Sequence, residues 1–193
     1  MKIDIVIAGV GGQGIVSIAA TIGFAAVESG LFLKQSEVHG MSQRGGDVSS
    51  NLRLSDEEIF SDLIPKGTAD MIIAVEPMES LRYLPMLSPK GWLITNTKPF
   101  VNIPNYPEIE KVISEIKKFP RNIAIDAEKI AEDLGSPKSA NMVILGAASP
   151  FINMPFEKLE NAVKAIFKNK GEEVVNVNLQ CLRTGREFSQ KKI

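Results

Sequence analysis

Ile3-Asp-Ile-Val-Ile-Ala-Gly-Val-Gly-Gly-Gln-Gly14 is an apolar run that breaks into a glycine turn. Gly9, Gly11 and Gly14 match G-x-G-x-x-G, the pattern found where the first strand of a doubly wound α/β domain turns into its first helix. Downstream, Ile15, Ile18, Ala19, Ile22, Ala25 and Ala26 recur at helical spacing, which predicts a helix over about 14–29. Gly30 follows as a C′ glycine that stops it.

The rest of the chain continues the alternation. Leu31–Leu33 is a brief second strand, residues 37–46 form a polar loop, and Val48–Leu54 alternates as a half-exposed strand expected to run antiparallel to the others. Asp70–Val75 is an uninterrupted apolar run of the kind covered on both faces in a parallel sheet, and a helix is expected over Glu76–Leu87. Gly91–Thr95 repeats the strand pattern. A proline-bearing connection (Pro99, Pro104, Pro107), a helix over Glu108–Lys118, a strand at Ile123–Ile125 and a helical C-terminal third complete the expectation. Strand and helix in alternation argue for a three-layer, Rossmann-like α/β fold, its mostly parallel sheet covered by helices on both faces. Length fits one domain over residues 1–193.

Composition excludes several classes of function. A formal net charge of −1, with Lys and Arg scattered, gives no basic field for nucleic acid or an anionic membrane, and Lys191-Lys192 reads as a solvated tail. The single cysteine, Cys181, cannot form an internal disulfide or hold an iron–sulfur cluster by itself, so no metal site is expected. The sequence opens on a strand without a basic leader, and no apolar run approaches the roughly 18 residues of a membrane span. A cytoplasmic location is the expectation.

The glycine turn alone does not establish dinucleotide binding, because its glycines serve a tight turn and close helix–strand packing equally well. The expected ribose-binding acid at the end of the second strand has only Glu37 as a loose candidate, and Glu28 sits inside the helix. What remains is a helix N-terminus able to cradle an anion through Gly9, Gly11, Gly12, Gln13 and Gly14.

The second informative segment is His39-Gly-Met-Ser-Gln-Arg-Gly-Gly46, which holds the only histidine. It has no helical or strand period, yet gathers an imidazole, a guanidinium, an amide and three glycines. Such a loop presents directed donors to a ligand or a neighbouring subunit. Equally, His39 and Arg44 pairing with Glu37 or Asp47 would make it an ordinary connection.

In order and spacing, Gly9–Gly14 and Ser36–Gly46 together resemble the gamma domain of 2-oxoacid:ferredoxin oxidoreductases, most closely the small separate beta subunits of the indolepyruvate enzymes. The resemblance extends over the strand around Ile72, the Gly91-Trp-Leu strand, the Ser139–Gly146 helix and the helical C-terminus. It implies a share in coenzyme A-dependent oxidative decarboxylation of a 2-oxoacid to an acyl-CoA, with electrons passed to ferredoxin. Thiamine diphosphate, magnesium and 4Fe-4S clusters would then belong to a larger alpha subunit, and this chain would bind none of them and be inactive alone.

On that basis His39, Gln43 and Arg44 are assigned supporting roles at the partner's active site, and Gly9, Gly11, Gly12, Gln13, Gly14, Ser42, Gly45 and Gly46 a ligand-binding rim. A nucleotide-binding Rossmann protein and a purely non-catalytic assembly subunit are the alternatives. The apolar run Met142–Leu145, followed by Phe151, Met154 and Phe156, marks a helix either deeply buried or shared with the alpha subunit or a second copy.

Overall fold

The computed structural model describes residues 1–40 and 45–192. In chain order its elements are β1 (Lys2–Val10), α1 (Ile15–Glu28), β2 (Phe32–His39), β3 (Asp47–Ser55), β4 (Ala69–Ala74), α2 (Pro77–Arg82), β5 (Leu87–Asn96), α3 (Ile109–Lys117), β6 (Asn122–Ile125), α4 (Ala127–Asp133), α5 (Ala140–Ala148), α6 (Phe156–Phe167) and α7 (Glu172–Gln190). The strands form one six-stranded sheet in the order β2-β3-β1-β4-β5-β6. β3 is antiparallel to both of its neighbours, while β1, β4, β5 and β6 pair in parallel, so β3 alone runs against the rest.

The side-chain alternation of β1 divides the core. Ile3, Ile5 and Ile7 face a layer containing α1, α4, α5, α6 and α7, whereas Val6 and Ala8 face Val112 and Ile116 of α3. This is the three-layer arrangement expected from the sequence. α5 is buried from Asn141 to Ala148, which resolves its all-round apolar character: it lies within this chain's own core. α7 crosses it at backbone contact. A Cβ on Gly146 would stand 2.0 Å from the carbonyl oxygen of Leu182, and one on Gly185 2.0 Å from that of Val143.

Three elements differ from the sequence expectation, the first being β5, which starts at Leu87 rather than Gly91. The helix expected over Glu76–Leu87 stops at Arg82 and gives way to a 3-10 turn at Leu84–Met86, because Pro85 cannot donate to a continuing helix. β2 continues past Leu33 to His39, taking three residues from the expected loop, because its hairpin pairing with β3 runs from Phe32↔Ser55 to His39↔Val48. The parallel strands β1, β4, β5 and β6 end along one rim, and β1 meets the start of β3 there through Val10↔Asp47.

Candidate functional site

At the end of β1 the glycine turn is held from within. The Gln13 side chain accepts the Val10 N–H at 2.8 Å, so this residue closes its own turn. Gly12 and Gly14 have φ of 100° and 82°, values that L side chains rarely adopt. Asn141 donates to the Gly14 carbonyl at 3.2 Å, and a Cβ on Gly14 would meet the same amide at 2.4 Å. Gly9 is required by packing, since a Cβ there would stand 2.3 Å from Val75. Gly14 caps α1, whose first turn carries no acidic residue, so no side-chain charge compensates the positive end formed by the N–H groups at the helix start.

These N–H groups border a cavity of about 780 Å³, lined by Gly12, Gln13, Gly14 and Ser17 on one side. Asn96 at the end of β5, Glu128, the Ser136–Asn141 segment, Lys170 and Asn178 form the rest of its polar wall, and the Glu128 carboxylate is paired with Lys98 at 2.9 Å. Its volume falls within the range of small-molecule sites. Asn96 accepts the Ala127 N–H at 3.1 Å and fixes the start of α4, while Ser136 and Ser139 hydroxyls lie 2.8 Å apart. Lys138 has no ion pair among the described residues. Asn96, Lys138, Ser139, Asn141 and Asn178 were not legible as site residues: Gly14 and Asn141 lie 127 positions apart and only the fold brings them together.

The other half of the rim belongs to the hairpin. The Gly11 N–H donates to the Gly46 carbonyl at 2.9 Å, so the two sequence motifs are adjacent in space. His39 lies with Nε2 2.5 Å from Glu37 Oε1, on the exposed end of β2. Gly45 accepts from the Asn102 side chain at 2.5 Å, tying the proline-bearing connection to the hairpin. Ser42, Gln43 and Arg44 lie outside the described residues. Behind the hairpin, Tyr83 donates to Asp47 at 3.3 Å, and Glu79 pairs with Arg82 at 2.7 Å. Burial holds the Glu79 carboxyl above the usual range, partly offset by Arg82. Buried Glu76 accepts from the Glu79 N–H, the Phe100 N–H and the Tyr106 hydroxyl.

Among the described residues, no acidic side chain at the end of β2 is brought to the glycine turn as a dinucleotide site requires. β3 lies between β1 and β2, so Glu37 stands two strands from the glycine turn and is engaged with His39. Cys181 is buried, with its thiol pushed up to about 11 by desolvation, and among the described residues no cluster of three His, Cys, Asp or Glu is placed to hold a metal ion. No helix among the described residues is long and apolar enough to cross a membrane.

Residues 4–188 match the model of the family described as pyruvate ferredoxin/flavodoxin oxidoreductase. The chain belongs to this family. It is 38% identical over 194 residues to the indolepyruvate oxidoreductase subunit IorB of Archaeoglobus fulgidus, covering 96% of this chain and 94% of that protein. The corresponding subunit of Methanothermobacter thermautotrophicus is 36% identical over 192 residues, covering 96% of each. The fold is shared with a 2-oxoglutarate:ferredoxin oxidoreductase from Magnetococcus marinus, a structure described as having 2-oxoglutarate, coenzyme A and succinyl-CoA bound. The TM-score is 0.78 and the identity 24%, over 98% of this chain and 31% of that one. The family resemblance drawn from the two glycine-bearing motifs is therefore borne out along nearly the full chain.

Proposed function

We propose that this family member is the small subunit of an indolepyruvate:ferredoxin oxidoreductase, working in the cytoplasm as one domain over residues 1–193. End-to-end similarity to IorB subunits, at 38% identity and with matching length, carries the substrate assignment. The complex converts a 2-oxoacid and coenzyme A to an acyl-CoA and carbon dioxide while reducing ferredoxin. Thiamine diphosphate with magnesium and the 4Fe-4S clusters belong to a larger alpha subunit. One buried cysteine does not fit a cluster, and no step of this chain's own chemistry runs through those groups.

The chain's contribution is the carboxyl rim. The α1 start, with Gly12, Gln13 and Gly14, and the ammonium of Lys138 form an electropositive wall suited to the phosphates of coenzyme A. His39, Gln43 and Arg44, with the adjoining Ser42, Gly45 and Gly46, face the alpha subunit and position groups at its active site. The alternative of a purely non-catalytic assembly subunit separates from this reading in the following assays.

Alone, the purified chain is expected to be colourless, free of iron and unable to reduce a viologen with indolepyruvate; with the alpha subunit it supports coenzyme A-dependent reduction. Unaided activity would overturn the division of labour. Arg44→Ala and His39→Ala in the assembled complex are expected to lower turnover about ten- to a hundredfold, the cost of a lost charge-assisted hydrogen bond, with melting near wild type. Full rate per complex with a lowered melting temperature would reduce both residues to a structural role.

A further inference from the structure

Burial of α5 removes the C-terminal helix as an association surface and directs attention to the apolar side chains that stay exposed. β2 ends the sheet and, among the described residues, pairs only with β3. The Gly40 N–H donates to the Asp47 carbonyl at 2.8 Å in the continued β2–β3 register, so the even-numbered residues of β2 spend their backbone groups on β3. Leu33, Gln35, Glu37 and His39 therefore direct theirs outward along an open edge. Phe32 (50% exposed) and Val38 (60%) stand near the two ends of this strand on one face. Ser36 shares that face and donates to the Asp62 carbonyl, placing on the same side the loop that carries Phe60, 88% exposed. Arg53 holds that loop in place through the Ser61 and Leu63 carbonyls.

We propose that two copies of this chain join edge to edge through antiparallel β2 strands, in the register that sets Gln35 opposite Gln35 of the second copy. This register places Phe32 of each copy opposite Val38 of the other, an aromatic–β-branched pair made twice by symmetry. It also matches the outward backbone groups: Leu33 pairs with Glu37, and Gln35 with itself, across the junction. Lys34 faces Ser36, and no like charges oppose. Centring one residue later sets Phe32 against Gly40 and Lys34 against Val38. Two residues later, Glu37 would oppose Glu37. The strand is thus self-complementary in one register, which favours a second copy over an extended segment of the alpha subunit.

The double variant Phe32→Cys/Val38→Cys tests this directly. Within one chain the two positions are about 20 Å apart along the strand, far beyond disulfide reach, so any bond between the introduced thiols joins two copies. Cys181 is buried and stays a spectator. Mild oxidation is expected to give a reducible covalent dimer in high yield from the double variant and none from either single variant. Gln35→Pro removes an outward N–H and leaves the β3 ladder whole, so it is expected to convert a sedimenting dimer to monomer with unchanged circular dichroism. A wild-type chain that sediments as a monomer throughout, or a double variant that does not cross-link, would overturn the proposal. Cross-linking abolished by saturating alpha subunit would also overturn it, assigning the edge to that partner.

Discussion

The two halves of the carboxyl rim use their polar side chains differently. Around the hairpin they are committed to one another: Glu79 with Arg82, Asp47 with Tyr83, Glu76 with Tyr106. Around the cavity the glycine turn is closed by Gln13 and Asn141, while Lys138 and the start of α1 keep their charge and dipole directed at open space. Charge that is internally matched supports the fold; charge that faces a cavity is available to a ligand. The hairpin half should therefore answer to substitution in stability, and the cavity half in binding.

The largest expected effect lies at the end of the hairpin away from the rim, where β1 starts and β3 ends. Arg53 meets buried Asp4 with Nε at 2.8 Å and a second nitrogen at 3.1 Å, and it also holds the Ser61 and Leu63 carbonyls. Arg53→Ala leaves buried Asp4 with only the exposed Lys2 ammonium, 3.3 Å away, and is expected to cost about 3 kcal/mol, a fall of roughly 6–12 °C in melting temperature. A loss below about 1 kcal/mol in urea melts would break the link between internally matched charge and stability. Next comes the α5–α7 crossing, which supports the far wall of the cavity. Gly185→Ala drives a methyl into the Val143 carbonyl and is expected to cost about 1–3 kcal/mol, read by the same melts.

The smallest effect is a pH dependence at Glu79. Burial raises its folded-state pKa above the ordinary value of 4.5, so the folded chain holds the proton more tightly than the unfolded one. Stability therefore falls as pH rises from that value through the raised one, and levels off above it. Glu79→Gln is expected to flatten this slope, because the neutral side chain has no ionisation to lose. Urea midpoints measured from acid to neutral pH check the sign; a slope unchanged by the substitution would assign it elsewhere.

How much was legible in the sequence follows the same division. β1, β4 and β5 announce themselves because strands covered on both faces must be apolar throughout, and α1 because one stripe of it packs on the sheet. β2 beyond Leu33 carries no such signal: an edge strand with one partner can be Lys34, Gln35, Ser36 and Glu37, and the pairing with β3 decides its length. The truncation of α2 at Arg82 was encoded in Pro85. The adjacency of the glycine turn and the hairpin followed from motif spacing, and the Gly11–Gly46 bond places them together. The cavity wall did not follow from spacing, because Asn96, Lys138, Asn141 and Asn178 form no local pattern and meet only when α4, α5 and α7 pack over the strand ends.

The most direct test of a working cavity is the KM for coenzyme A of the assembled complex carrying Lys138→Ala, measured at saturating indolepyruvate beside a thermal melt. Loss of one charge-assisted contact to phosphate predicts a KM raised about ten- to a hundredfold, with kcat and melting temperature near wild type. An unchanged KM for coenzyme A would contradict the assignment of this half of the rim to the ligand.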